Sequence, residues 1–134
     1  MNAFAWDPTL ETGHPVIDAQ HLELFNALED IHVDITRGDN VKGVEDALLR
    51  LSDYINSHFA DEEALMAACA YPGFESQRRM HREFTEKTNA LMQQYLAGEL
   101  VMPMTVAIHM FDWLEHHVRT ADSEMAKFVR DAGC

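Results

Sequence analysis

Histidine and carboxylate side chains recur at helical spacing along this 134-residue chain. His58 and Glu62 are four residues apart in HFADE, and Gln77 and His81 repeat that spacing in QRRMH. At about 100° per residue, four steps return two helical side chains to within about 40° of each other, so each pair converges. Imidazole and carboxylate donors without thiolate suit iron, manganese or zinc. A histidine pair at this spacing would suggest a metal site, but the first member of the second pair is an amide, so the spacing alone leaves open whether this segment belongs to one.

Two further segments carry the same residue types. His21 lies in the apolar register of its segment, between Ile17 and Phe25, and His117 and Asp122 are five residues apart in HVRTAD. Five steps on a regular helix turn Asp122 about 140° away from His117. Both serve one centre only if the aspartate reaches round or the helix widens locally, and a π-type turn is typical of functional sites.

Each of these residues alone has an ordinary structural explanation. A single helical histidine is more often a surface residue or a satisfied core residue than a ligand, and an isolated His-x3-Glu pair is commonly an i,i+4 hydrogen bond. The combination is different, because burying several ionisable groups in one bundle costs several kcal/mol unless they are paired or bound to metal. The set as a whole therefore favours a metal centre.

Apolar periodicity and turn residues predict the elements that position these side chains. Asp18 is the predicted cap of the first helix, which ends at Gly38, Asp39 and Asn40. Three more helices are predicted at about 41–69, 74–97 and 103–130, and residues 1–17 form an ordered, irregular arm. The expected fold is all-α, an antiparallel up-down-up-down four-helix bundle with an irregular N-terminal arm. Residues 1–134 are one domain, with the bundle at 18–130.

Composition excludes several classes of partner. The net charge of −13 repels phosphates and anionic lipid, so we expect no nucleic-acid and no membrane binding. No secretory signal or membrane-spanning run is evident. Cys69 and Cys134 are isolated in the sequence and are predicted to stay free thiols in a reducing compartment, so the expected location is cytoplasmic.

The chain closely resembles the bacterial hemerythrins, which are oxygen-binding non-haem di-iron proteins. The resemblance covers almost the whole length and includes the arm with Trp6, GHPVIDAQHLELF, HFADEE, YPGF and WLEHHVRTAD. The ordered set of His, His-x3-Glu, a pair at x3 and WLxxH-x4-Asp is highly specific. It implies one hemerythrin-like domain that binds dioxygen reversibly, for storage, delivery or scavenging.

The resemblance also implies a ligand set for two iron ions joined by an oxo or hydroxo bridge. By position, one iron is bound by His21 and His58, the other by His81 and His117, and Glu62 and Asp122 bridge the two. A third family histidine on the second iron falls at Gln77, a weak neutral ligand that leaves a position for water or an exogenous ligand such as a small anion. We therefore expect an exchange-prone site with faster autoxidation, easier anion binding, or oxygen bridging both metals.

Apolar walls around the dioxygen are also implied by position. The residues are Leu24, Phe59, Trp113, Leu114 and Val118. Ordinary core packing explains the same residues equally well, and the two explanations are compatible. The remaining histidines are not expected to be ligands; they are His14, His32, His109 and His116.

Two other classes of function stay open from the sequence. The same domain can be an oxygen- or redox-sensing input that informs a signalling partner domain. A peroxidase-like or oxidase-like di-iron enzyme is the third class, and the ferritin-like version is disfavoured because Glu29 and His32 form only one Glu-x-x-His motif. A zinc site with four imidazoles is a further alternative for the metal. We expect a binding protein and not an enzyme.

Overall fold

Four helical rods run side by side in the computed structural model, which describes residue 4 and residues 6–38, 41–99 and 101–134. The first three rods are α1 (Pro15–Arg37), α2 (Val41–Ala68) and α3 (Phe74–Leu96). The fourth begins as α4 (Pro103–His117), passes through a widened turn (Val118–Asp122) and ends as α5 (Ser123–Ala132). Each rod packs against its two neighbours around a ring. The predicted all-α four-helix bundle is confirmed.

Helix α1 begins earlier than predicted, because Pro15 occupies its first turn and the Nδ1 of His14 accepts from the Ile17 N–H at 3.3 Å. Asp18 is therefore not the cap. Its carboxylate instead accepts from the backbone and hydroxyl of Thr12, at 2.8 and 2.7 Å. The helix ends at Gly38, whose φ of 74° is the left-handed conformation that glycine adopts most readily. The predicted stop residues Asp39 and Asn40 lie outside the described residues.

The bundle interior contains two apolar clusters. The larger fills one end and includes Leu24, Phe25, Ile55, Phe84 and Leu114. The smaller lies towards the other end, and its buried members are Ile17, Met66, Met125 and Val129. On each rod the predicted histidines and carboxylates lie where the residues of the two clusters adjoin. The polar centre is thus enclosed by apolar side chains along the bundle axis.

The N-terminal arm lies across the rods that carry this centre. Phe4 stacks on Phe111 with ring centroids 4.9 Å apart, and Leu10 is buried. Asp7 forms a salt bridge with Arg119 of the widened turn at 3.2 Å. None of the helices in the described part of the chain is long and apolar enough to cross a membrane.

The prediction of two free thiols is wrong. Cys69, just after α2, and Cys134, at the chain end, form a disulfide with their Cα atoms 5.9 Å apart. The sequence offered no spacing signal because the two residues are 65 positions apart and meet only when α2 and α5 end at the same end of the bundle. The cytoplasmic location stays a prediction.

We expect reduction of this disulfide to destabilise the fold. Linking positions 65 residues apart restricts the unfolded chain, and a bridge of this kind contributes about 2–4 kcal/mol. Urea unfolding of the oxidised and reduced protein measures the difference. The double variant Cys69→Ser/Cys134→Ser is the control, since reductant should leave its unfolding midpoint unchanged. Equal midpoints for the oxidised and reduced wild type would contradict the prediction.

Candidate metal centre

A widened helical turn brings His117 and Asp122 to the same face. Residues Val118–Asp122 form one π-helical turn, and the side chains of His117 and Asp122 are both buried. The wider turn offsets the 140° that five regular steps would introduce, which is one of the two arrangements that the spacing left open. Side-chain hydroxyls satisfy nearby carbonyls: Ser123 donates to the Val118 carbonyl at 2.9 Å and Thr120 donates to that of His116 at 2.7 Å. These local bonds stabilise the irregular backbone.

Glu62 faces histidines of three rods. Its Oε2 lies 3.3 Å from the Nε2 of His58 and 3.5 Å from the Nε2 of His21. Its Oε1 lies 3.5 Å from the Nε2 of His81. The two oxygens of one carboxylate are therefore turned towards two different groups of imidazoles.

Asp122 repeats this arrangement from the opposite rod. Its Oδ2 is 3.2 Å from the Nε2 of His21, and its Oδ1 is 3.3 Å from the Nε2 of His117. His117 in turn lies 3.2 Å from His81, between their Nε2 atoms. The donor atoms thus form two clusters that share Asp122. The first contains His21, His58, Glu62 and Asp122, and the second contains His81, His117 and Asp122.

Hydrogen bonds outside the clusters set the tautomers of two imidazoles. The Nδ1 of His58 lies 2.6 Å from the Gln20 carbonyl oxygen, and the Nδ1 of His81 lies 3.1 Å from a Glu63 carboxylate oxygen. Both partners are acceptors, so each Nδ1 carries the proton. Each Nε2 then presents a lone pair to the centre.

With these tautomers, the Nε2 lone pairs of His58 and His81 face the carboxylate oxygens of Glu62 at 3.3 and 3.5 Å. Both oxygens of Glu62 and both ring nitrogens of His21 are buried without a hydrogen-bond partner. Leaving such groups unpaired in an apolar interior costs about 1–3 kcal/mol each. Cations relieve this cost, and carboxylate and imidazole donors suit a transition metal. The residues present therefore fit a bound metal.

Gln77 lies beside the second cluster and is hydrogen-bonded to one of its members. Its Nε2 donates to the Asp122 Oδ1 at 3.1 Å, which turns the amide nitrogen towards the shared carboxylate. Its carbonyl oxygen is buried and has no hydrogen-bond partner. The amide of Gln77 thus donates a hydrogen bond to Asp122. A neutral histidine at this position could instead direct a nitrogen lone pair towards the centre.

Comparison with known proteins identifies the fold that carries this centre. The model of the hemerythrin HHE cation binding domain matches residues 12–129. The chain belongs to the hemerythrin family.

Individual relatives cover nearly all of its length. The chain is 30% identical over 130 residues to a bacteriohemerythrin of Stenotrophomonas maltophilia and 29% identical to that of Pseudomonas aeruginosa strain PAO1, covering 97% of this chain and 84% of each relative. Myohemerythrin-1 of Phascolopsis gouldii is 26% identical over 119 residues, which are 89% of this chain and 88% of that protein. Hemerythrins bind non-haem iron and dioxygen.

Aromatic rings enclose the second cluster of this hemerythrin. Phe59 stacks on His81 with ring centroids 3.9 Å apart, and Trp113 stacks on His117 at 4.3 Å. All five residues predicted as apolar walls belong to the larger apolar cluster or pack against it; they are Leu24, Phe59, Trp113, Leu114 and Val118. Trp113 is partly buried and the others are buried. Their role as walls for a ligand stays a prediction.

The other histidines have positions of their own. His14 caps α1, and His116 is exposed beside the buried His117. His109 is half-buried, lies 2.9 Å from the Thr88 hydroxyl and stacks on Phe84, away from the centre. His32 contacts the arm residue Phe4. None of them joins either donor cluster among the described residues.

Sequence reasoning missed the two residues that orient His58 and His81. Gln20 and Glu63 each stand beside a predicted ligand in the sequence, next to His21 and Glu62. Neighbouring positions on a helix point about 100° apart, so neither shares the periodic signal of its neighbour. Only the contact between different rods reveals them.

The carboxylates and imidazoles shift one another's pKa values in the metal-free protein. Burial opposes charge on His21, but the nearby Asp122 and Glu62 raise the pKa of its imidazole to about 9. Burial and repulsion from Asp122 oppose ionisation of Glu62, yet the imidazoles of His21 and His58 hold its pKa below the ordinary value. Burial likewise opposes charge on Asp122, while His117 and His21 hold its pKa well below the usual range. A proton thus replaces the cation when no metal is bound.

We expect the metal-free protein to lose stability at both ends of the pH range. The raised pKa of His21 gives stability that is complete below 6.5 and is lost as the pH rises through about 9. The lowered pKa values of Glu62 and Asp122 give stability that is present above about pH 4 and is lost as the pH falls. Thermal unfolding followed by circular dichroism should show a maximum at about pH 5–7. A midpoint that stays constant across the alkaline limb would count against this account.

Proposed function

We propose that this hemerythrin binds dioxygen reversibly at a centre of two iron ions, for storage, delivery or scavenging. The proposed ligands are His21, His58, Glu62, His81, His117 and Asp122. The observation that carries the proposal is the orientation of the two carboxylates. Glu62 and Asp122 each present separate oxygens to different histidines, which is the arrangement that bridging ligands of a two-metal centre require.

The chain contributes pre-organised donors to such a centre. Gln20 and Glu63 hold the rings of His58 and His81 with their Nε2 lone pairs directed inwards. The widened turn holds Asp122 on the same face as His117. A ferrous pair held there supplies the two electrons that reversible dioxygen binding requires.

The apolar surroundings protect the bound state. The two apolar clusters lie on either side of the centre, and Phe59 and Trp113 cover the imidazoles of its second half. Excluding water slows proton delivery and the loss of reduced oxygen as a by-product. The side chains favour reversible binding over turnover, and this supports a binding protein in preference to an enzyme.

Because of Gln77, the half of the centre formed by the second cluster has fewer imidazole donors than the family pattern. The amide nitrogen of Gln77 is turned to Asp122, so this second half has one imidazole fewer than the family pattern. With iron bound, that position would be available to water or to a small anion. This supports an exchange-prone centre.

Anaerobic reduction of the iron-loaded protein, followed by exposure to dioxygen and then to vacuum, tests the function. We expect two iron ions per chain and an optical spectrum that changes with dioxygen and returns when it is removed. The variants His117→Ala and His116→Ala are a matched pair, because the first residue is buried in the cluster and the second is exposed. His117→Ala should lose most of the iron of the second half and His116→Ala should retain both ions. A wild type that never holds a pair of iron ions would disprove the proposal.

Gln77→His should make dioxygen binding more durable. An added imidazole would occupy the open position and reduce exchange with solvent, so we expect severalfold slower oxidation of the loaded protein and weaker azide binding. The number of dioxygen loading and release cycles, with an azide titration of the oxidised protein, measures both effects. Gln94→His, placed on the exposed part of the same helix, is the control. Unchanged durability and azide affinity in Gln77→His would count against an open position.

A further inference from the structure

The two imidazoles whose tautomers are fixed have chemically different partners behind them. His58 donates its Nδ1 proton to the neutral amide oxygen of Gln20 at 2.6 Å. His81 donates its Nδ1 proton directly to the carboxylate of Glu63 at 3.1 Å. The nearest carboxylate behind His58 is one group further away, because Asp61 accepts from the Gln20 amide nitrogen at 3.1 Å. The negative charge is therefore applied directly to only one of these two rings.

Glu63 contacts His81 and forms no ion pair with another side chain among the described residues. Its side chain is 27% exposed, and among the described residues His81 is the only basic group within salt-bridge distance of it. Arg78 and Arg82 line the same surface groove, but neither forms an ion pair with Glu63 among the described residues, and Arg78 pairs with Glu75 at 3.5 Å. No guanidinium there is in direct contact with the carboxylate that meets the ring.

The ring that receives this charge belongs to the poorer half of the centre. The second donor cluster contains His81, His117 and Asp122, whereas the first contains four residues. Gln77 lies beside the second cluster but directs its nitrogen, a hydrogen-bond donor, to Asp122. The direct carboxylate and the missing imidazole thus occur on the same side.

We propose that Glu63 is a positioning residue that compensates for Gln77, by fixing the His81 ring and increasing the electron density at its Nε2. The proposal rests on the metal centre described under the proposed function. An anionic partner raises the basicity of an imidazole ligand, and removing such a partner weakens metal binding by about 10- to 100-fold. A stronger Nε2 donor on His81 makes the second metal position tenable with fewer protein ligands.

Two variants of Glu63 separate its hydrogen bond from its charge. Glu63→Gln keeps an acceptor for the His81 Nδ1 proton and removes the charge, whereas Glu63→Ala removes both. We expect iron to leave the second position about 10- to 100-fold faster in Glu63→Ala when a chelator is added. Glu63→Gln should release it at an intermediate rate and should show a higher reduction potential. Glu86→Gln is the control, since Glu86 is an exposed carboxylate in the same groove.

A double-variant cycle tests the compensation itself. Adding Gln77→His supplies the imidazole, so Glu63→Gln should then accelerate iron release by a smaller factor than it does alone. Equal factors in the two backgrounds would show that Glu63 acts independently of Gln77 and would overturn the proposal. The proposal would also be overturned if both Glu63 variants had the same iron release rates and reduction potentials as Glu86→Gln.

The stability of the metal-free proteins separates this role from a purely structural one. A purely structural role predicts a large loss of thermal stability in metal-free Glu63→Gln with no change in reduction potential, and that result would also overturn the proposal. Failure of the metal centre itself is distinguishable, because the wild type would then hold no iron pair. If the wild type and all Glu63 variants hold iron equally well, only the proposed role of Glu63 is disproved, and the metal centre itself is not.

Discussion

The convergence of hydrogen-bond acceptors inside an apolar bundle is the constraint on which the structure depends. Lone pairs of imidazole and carboxylate meet between two apolar clusters, and Glu62 has no donor for either oxygen. A hydrophobic interior of this kind cannot tolerate such a group without positive charge. Either a metal ion or protons must supply that charge. The binding of a cation in the centre and the free energy of unfolding are therefore thermodynamically linked.

Helical periodicity explains how much of this centre was predictable from sequence. His58, Glu62 and His81 continue the apolar stripes of their helices, so the spacing alone indicates that they point inwards. The five-residue interval between His117 and Asp122 predicted either a long reach or a widened turn, and the structure has the widened turn. The bundle followed from the same stripes, since four amphipathic segments joined by short loops have few alternative arrangements.

Contacts between distant parts of the chain were not predictable in this way. Glu63 reaches His81 on another rod, and Cys69 meets Cys134 across 65 positions. No period in the sequence encodes either contact, because each depends on how two rods are rotated and how far they extend. The predicted start of α1 at Asp18 was wrong for a local reason. His14 caps the helix and Pro15 occupies its first position, so the helix begins before the aspartate that would more usually be the cap.

The irregular arm and the widened turn are best understood together. One π-helical turn places Asp122, but such a turn disrupts the regular hydrogen bonding of the helix, so it needs support from outside the rod. Arg119, the second residue of the turn, donates to the Thr9 hydroxyl at 2.6 Å and pairs with Asp7 at 3.2 Å, both in the arm. Arg130, one helix further on, donates to the Thr12 carbonyl. The arm is therefore fixed by residues of the widened turn and of α5, on either side of Asp122 in the sequence.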